Sequence, residues 1–176
     1  MFRQPPLRSV MKLPSEIPLQ SVLALIDTRE QAPLDLSPLA SVTATLATGD
    51  YSIRGLEHIV AVERKSLSDL LACVGRERDR FDREVHRLLA YPVRALVVEA
   101  TWNDIEVGGW RGEVKPAAAL GSLLGWVASG LPVLMAGDHE RAGQYVARLL
   151  VIAARRRWRE LRALAGATEL RATEAE

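Results

Sequence analysis

Residues 1–20 show no sustained hydrophobic period: Arg3, Arg8 and Lys12 are scattered among Pro5, Pro6, Pro14 and Pro18. That pattern predicts a flexible arm. From Ser21 the chain changes to short apolar runs. Val22 to Ile26 is nearly continuous, as in a strand buried on both faces, and polar residues begin where it stops, at Asp27-Thr28-Arg29-Glu30. A loop or short helix follows over Gln31 to Pro38, and Val42 to Ala47 alternates weakly. Gly49-Asp50-Tyr51-Ser52-Ile53, a turn at Gly55, and Ile59 to Lys65 read as a hairpin.

Ser66-Leu67-Ser68-Asp69 has the spacing of a capping box and starts a helix that Gly75 interrupts. A second helix is predicted from about Asp79 to Tyr91, with Phe81, Val85, Leu88 and Leu89 inward and Pro92 beyond its end. Ala95 to Ala100 reads as a further buried strand, Asn103 to Gly112 as a loop, and Ala117 to Ser129 as a helix introduced by Pro116. Val133 to Ala136 is the last strand, and Asp138 caps a long helix reaching at least Arg159. Residues 166–176, small and polar, read as a frayed tail. This order of elements predicts an α/β domain over residues 21–165, a central mixed β-sheet flanked by α-helices.

Composition narrows the class. The 176 residues are 48% hydrophobic and 26% charged, which excludes a disordered chain, and no apolar run is long enough to cross a bilayer. With 23 Lys+Arg against 22 Asp+Glu, net charge alone says nothing about nucleic acid. Cys73, the single cysteine, excludes an internal disulfide and a thiolate zinc cluster, and its apolar neighbours mark a buried thiol. An intracellular, reducing compartment is expected. Lys12, Lys65 and Lys115 are the only lysines, so each one matters.

Lys65 closes the triplet Glu63-Arg64-Lys65 at the end of an apolar strand. Alternation along a strand sends Glu63 and Lys65 to one face and Arg64 to the other. Asp50 lies on the preceding strand and Asp27 ends a candidate neighbour, so three carboxylates can converge near an ammonium. Hard divalent cations such as Mg²⁺ or Mn²⁺ take oxygen ligands, and a shallow acidic cluster open to phosphate suits phosphodiester hydrolysis. Each acid taken singly also reads as a polar strand end at the surface, and the capping box accounts for Asp69 without chemistry.

These residues resemble the XPF/Mus81 structure-selective endonucleases, the ERCC4 nuclease domain. The family signature is Gly-Asp, a spacer, Glu-Arg-Lys, three residues and Asp. It matches Gly49-Asp50, Glu63-Arg64-Lys65 and Asp69, while Ile26-Asp27-Thr28-Arg29-Glu30 is similar to the upstream segment. Arg80-Phe81 and Arg87-Leu88 resemble a family helix, with Glu84 where Gln is usual. The resemblance implies a restriction-endonuclease-like fold and cleavage of branched, flap or fork DNA in repair, recombination or replication-fork processing. By position it implies Asp27, Asp50 and Glu63 as ligands of Mg²⁺ or Mn²⁺, Lys65 as the group acting on the attacking water, Arg64 in support, and Glu30 and Asp69 near the site. Few residues follow Arg157, so the tandem helix-hairpin-helix module usual in the family is not expected here.

For DNA, the candidates are Arg29 and the row Arg76, Arg80, Arg83 and Arg87, which would form one stripe on a continuous helix, although Asp79 and Glu84 are spaced to neutralise part of it. Trp110 is a candidate contact for unpaired bases. A homodimer, or a heterodimer with a DNA-binding subunit, is expected through the closing helix. Two other readings compete: a non-catalytic DNA-binding or scaffold subunit, and a Holliday-junction resolvase or restriction-type nuclease.

Overall fold

A computed structural model describes residues 13–173. Its strands are β1 (Ala24–Asp27), β2 (Ser41–Ala44), β3 (Tyr51–Ile53), β4 (Val60–Ser66), β5 (Val93–Glu99) and β6 (Val133–Met135). Its helices are α1 (Leu67–Val74), α2 (Arg78–Leu89), α3 (Trp102–Val107), α4 (Pro116–Ala128) and α5 (His139–Thr173). One sheet runs β2-β1-β3-β4-β5-β6, parallel except where β3 meets β1 and β4.

The central strands are apolar on both faces because both are covered. Val60, Val62, Ala95 and Val97 meet Ala142, Val146 and Leu150 of α5. Ala61, Leu96 and Val98 meet Leu70, Phe81, Leu88, Ile105 and Leu123 of the other helices. The crossovers β4-α1-α2-β5 and β5-α3-α4-β6 step across the sheet in one direction, so their common handedness puts all four helices on the same face. Cys73 is buried among them, and burial pushes its thiol up to about 11, so it stays a protonated packing group.

Three expectations change. Residues 102–107 form a helix rather than a loop: the Thr101 hydroxyl accepts from the Asp104 amide while the Asp104 carboxylate accepts from the Thr101 amide. The described part of the expected flexible arm is docked. Trp158 Nε1 donates to the Pro14 carbonyl at 3.0 Å and Arg162 to the Ser15 carbonyl at 2.9 Å, and Ile17 packs on the core. Residues 1–12 lie outside the described residues. Finally, α5 continues through Gly166 to Thr173; one helical glycine disfavours a helix by only about 1 kcal/mol, too little to end one already running. Residues 174–176 also lie outside.

Two glycines are required by close backbone approach. Gly49 has φ +77°, and a Cβ there would stand 2.9 Å from the Val62 carbonyl oxygen. At Gly143 in α5, a Cβ would stand 2.3 Å from the Asp35 carbonyl oxygen. Gly121 and Gly125 of α4 face open space. Gly143→Ala is therefore expected to lower stability by about 2 kcal/mol despite better helix propensity, whereas Gly121→Ala is expected to raise it by roughly 0.5–1 kcal/mol. Urea titrations read both as opposite midpoint shifts at constant slope.

Candidate active site

The last regular pair between β3 and β4 is Tyr51 with Val62. Just beyond it the Asp50 amide donates to the Val62 carbonyl at 2.8 Å, and the Asp50 carbonyl accepts from the Asp27 amide at 2.8 Å. The Arg64 amide then donates to Asp50 Oδ2 at 2.7 Å. A carboxylate thus stands where the next strand would have offered a carbonyl. Gly49 allows this, since any larger residue before Asp50 would strike the β4 backbone.

Glu63 and Lys65 point to the face covered by α1 and α2. The Lys65 ammonium donates to Glu63 Oε1 and, at 3.3 Å, to the Arg64 carbonyl, with the Phe81 ring centroid 5.4 Å away. Phe81 is itself held edge-on by Trp126, centroids 4.9 Å apart. Asp50 Oδ1 and Glu63 Oε2 accept no hydrogen bond from described residues. Neither is a buried unpartnered atom, so each reaches solvent.

Burial dominates the electrostatics. It pushes Asp50 up to about 6, against the opposing pull of the Lys65 charge and the Arg64 amide. It pushes Glu63 up to about 7, and the Asp50 charge adds to the rise. Burial alone would lower Lys65, but the charges of Glu63 and Asp50 outweigh it and raise the ammonium above its ordinary value. Glu84, in the place where the family usually has Gln, pairs with Arg87 and adds its field at Glu63.

The three carboxylates grouped by the sequence are not equivalent. Asp27 Oδ1 accepts from the Arg29 amide at 2.8 Å and from Arg29 Nε at 2.6 Å, and Oδ2 accepts from the Leu46 amide at 2.7 Å. Burial tends to raise its carboxyl, yet the Arg29 guanidinium and these amides hold it below the usual carboxylate range. Asp27 therefore clamps two loops, and Arg29 spends its charge there and on the Leu46 carbonyl. Among the described residues no group of three His, Cys, Asp or Glu stands arranged for an ion. Asp50 and Glu63 fit a narrower case: Mg²⁺ is commonly held by one or two carboxylates, keeping several waters and taking substrate phosphate.

Arg64 lies on the opposite face. It bonds Glu99 at 2.7 Å, stands 3.7 Å from Glu30 and lies 3.3 Å from His139 Nδ1, which is 2.7 Å from Glu99. Glu30 is thus separated from Glu63 by the sheet. Asp69 remains at the helix start, accepting from the Ser66 hydroxyl at 2.6 Å while its amide donates back at 3.1 Å. The arginine stripe is broken because α1 ends at Val74 and α2 begins at Arg78, leaving Arg76 in the turn. Arg80 pairs with Glu77 and Arg87 with Glu84; Arg83 is exposed. Trp110 is half-buried: its Nε1 donates to the Val114 carbonyl at 2.8 Å and its ring packs against the core.

Sequence reasoning missed the partnership of Arg64 with Glu99 and His139. The signal was available for Glu99: it ends β5 opposite Ser66 in parallel register, and strand alternation puts it on the face of Arg64. Nothing in the local sequence marks His139.

A family model described as the ERCC4 domain matches residues 26–149. No curated protein matches the chain. Among solved structures, XPF from Aeropyrum pernix is similar at 20% identity with a TM-score of 0.61, over 76% of this chain and 66% of that one. At that identity the likeness is one of fold, and this chain spans slightly less than two thirds of the XPF chain. With β1 to β6 and the signature residues inside the matched segment, this chain belongs to the ERCC4-domain family of structure-specific DNA nucleases.

Proposed function

We propose that the protein is a divalent-metal-dependent endonuclease that hydrolyses phosphodiester bonds in branched, flap or fork DNA, structures that arise in repair, recombination and replication. The observation that carries the reading is a pair of carboxylates, half-buried Asp50 and buried Glu63, each keeping a solvent-reaching oxygen beside the Lys65 ammonium. Asp50 and Glu63 would hold Mg²⁺ or Mn²⁺, with the Arg64 carbonyl as a further oxygen. The bound cation would supply Lewis acidity, easing deprotonation of water and neutralising phosphate charge.

The remaining roles belong to the chain's own groups. Lys65, raised by its acids and seated over Phe81, stays an ammonium and can donate to a phosphate oxygen as charge develops there. Asp50 does two things: one oxygen fixes the Arg64 amide and the other faces solvent. Arg64 anchors the end of β4 to β5 and α5 through Glu99 and His139, which holds Glu63 and Lys65 in register. Glu30 and Asp69 support loop and helix start, and Asp27 positions the strand end beside Asp50.

Ile152 and Leu161 are 61% and 51% exposed on two sides of α5, apolar surface on which we rest the reading that this helix pairs with a second copy or a DNA-binding subunit. Light scattering is expected to give two copies of the wild-type chain, or a one-to-one complex with such a subunit, and only single copies of Ile152→Glu/Leu161→Glu.

Incubation with Mg²⁺ or Mn²⁺ and labelled fork, flap, four-way junction and linear duplex DNA tests the chemistry. Cleavage at branches is expected, falling by about 10²–10³-fold in Lys65→Ala and in Glu63→Gln. No cleavage of any DNA would leave a non-catalytic DNA-binding subunit, and a strong preference for the four-way junction would make the protein a resolvase.

A second expectation concerns pH. Because burial raises Asp50 to about 6 and Glu63 to about 7, the folded state binds more protons than the unfolded state between about pH 4 and pH 8. Metal-free stability is then fully present near pH 4 and declines as pH rises through 7. Asp50→Asn keeps an acceptor for the Arg64 amide without the charge, so at pH 8 it should exceed the wild type by on the order of 2 kcal/mol. Melting curves in chelator read this directly. Mg²⁺ should raise the wild-type midpoint more at pH 8 than at pH 5, and should leave Asp50→Asn nearly unmoved.

A further inference from the structure

The arginine lost from the stripe has other company. Arg76 sits at the C-terminal end of α1 and lines a groove of about 720 Å³ whose far wall is residues 111–115 and the start of α4. Arg111 and Lys115 stand on that wall, and Leu71, Val74, Val114 and Ala118 form an apolar floor. Gly75 lets the wall approach, since a Cβ there would meet the Val114 side chain at 3.1 Å. The acid on the lining is Glu113, against three cations from two segments, Arg76 in the turn after α1 and Arg111 and Lys115 on the facing wall. Arg76 has one loose contact, 3.8 Å to Glu77, and Glu77 is shared with Arg80. Arg111 and Lys115 form no ion pair with described residues. On α2, by contrast, Glu77 and Glu84 already engage Arg80 and Arg87. Arg83 is the one α2 arginine without an ion pair among the described residues, so the densest group of unspent positive charge on this side of the sheet is at the groove, and the positive end of α4 adds to it.

The groove also has a fixed relation to the candidate active site. Lys65 and Ser66 lead directly into α1, whose eight residues rise about 12 Å to Gly75. The groove runs along α1 from Ser68, and one strand of duplex DNA carries a phosphate about every 3.4 Å along the axis, so Arg76 at its far end stands about three to four nucleotides from the acids.

We propose that this groove holds the phosphodiester backbone of the DNA arm leading away from the cut, with Arg76, Arg111 and Lys115 facing its phosphates and the apolar floor meeting sugars. The inference rests on the nuclease reading for its substrate. It differs from the stripe in placing the contacts across two crossovers rather than along one helix.

The test uses the full chain and two labelled forks, one with an arm ending about three nucleotides beyond the cut and one with an arm of about twelve. Binding is measured by anisotropy in chelator over a salt series, and cleavage with Mg²⁺. Arg111→Ala/Lys115→Ala is expected to weaken the long-arm fork at least tenfold more than the short-arm fork. It should also lower the slope of log affinity against log salt by about two, and raise KM rather than lower kcat. Arg111→Lys/Lys115→Arg, which keeps the charge, is expected to restore binding. Equal behaviour of the double alanine variant and wild type on the long-arm fork, or equal loss on both forks, would overturn the proposal. So would displacement by polyglutamate as readily as by unlabelled DNA, which would assign the groove to an acidic peptide. If the wild type cut nothing yet the double variant lost arm-dependent binding, the groove would stand and the nuclease reading would fall. If cleavage were normal and the variant silent, the reverse would hold.

Discussion

A single hydrogen bond, from the Arg64 amide to Asp50 Oδ2, organises the centre of this protein. Where β3 and β4 diverge after Tyr51 and Val62, a central-strand amide would be stranded away from water, and an unsatisfied buried donor costs about 1–3 kcal/mol. Asp50 relieves that by folding its carboxylate into the gap. The same act sets a half-buried acid beside Glu63, with both carboxyls raised and Lys65 as the nearby countercharge. Backbone satisfaction and acid chemistry are thus one arrangement, and Gly49 is its steric condition.

Strand alternation then divides three consecutive residues between two environments. Glu63 and Lys65 enter the layer of α1 and α2, where Phe81 and Trp126 support the ammonium. Arg64 enters the α5 layer, where Glu99, Glu30 and His139 surround it. The Glu63–Lys65 pair and the Arg64 cluster therefore lie on opposite faces of a sheet whose middle is apolar apart from Ser52, whose hydroxyl donates to the Val60 carbonyl.

Much of the fold was legible because β4 and β5 are buried on both faces and read as unbroken apolar runs, and because Ser66 and Asp69 announce the helix after β4. The opposed directions of Glu63 and Arg64 followed from alternation alone. Illegible were features set by partners far along the chain. The Trp158 bond to Pro14 spans most of the sequence, so the segment reads as loose from composition. Asp27 falls at the expected strand end, but its carboxylate is claimed by Arg29 two residues on and by the Leu46 amide, which no spacing rule distinguishes from a free ligand. The α3 helix is short enough that its Thr101-Asp104 box was hidden among glycines.

The length of α5 has a mechanical consequence. Its 35 residues rise about 52 Å, whereas five gaps between six strands span about 24 Å, so half of the helix overruns the sheet it covers. The inner half shares the core's cooperativity, whereas the outer half is held by local pairs such as Arg157 with Glu160 and by the docked segment that Trp158 and Arg162 bond, so its loss would release that segment before β4. Amide exchange along this one helix would therefore be graded, slow where Val146 and Leu150 meet the sheet and fast toward Thr173. A partner gripping the outer turns would hold the nuclease core by a semi-independent tether.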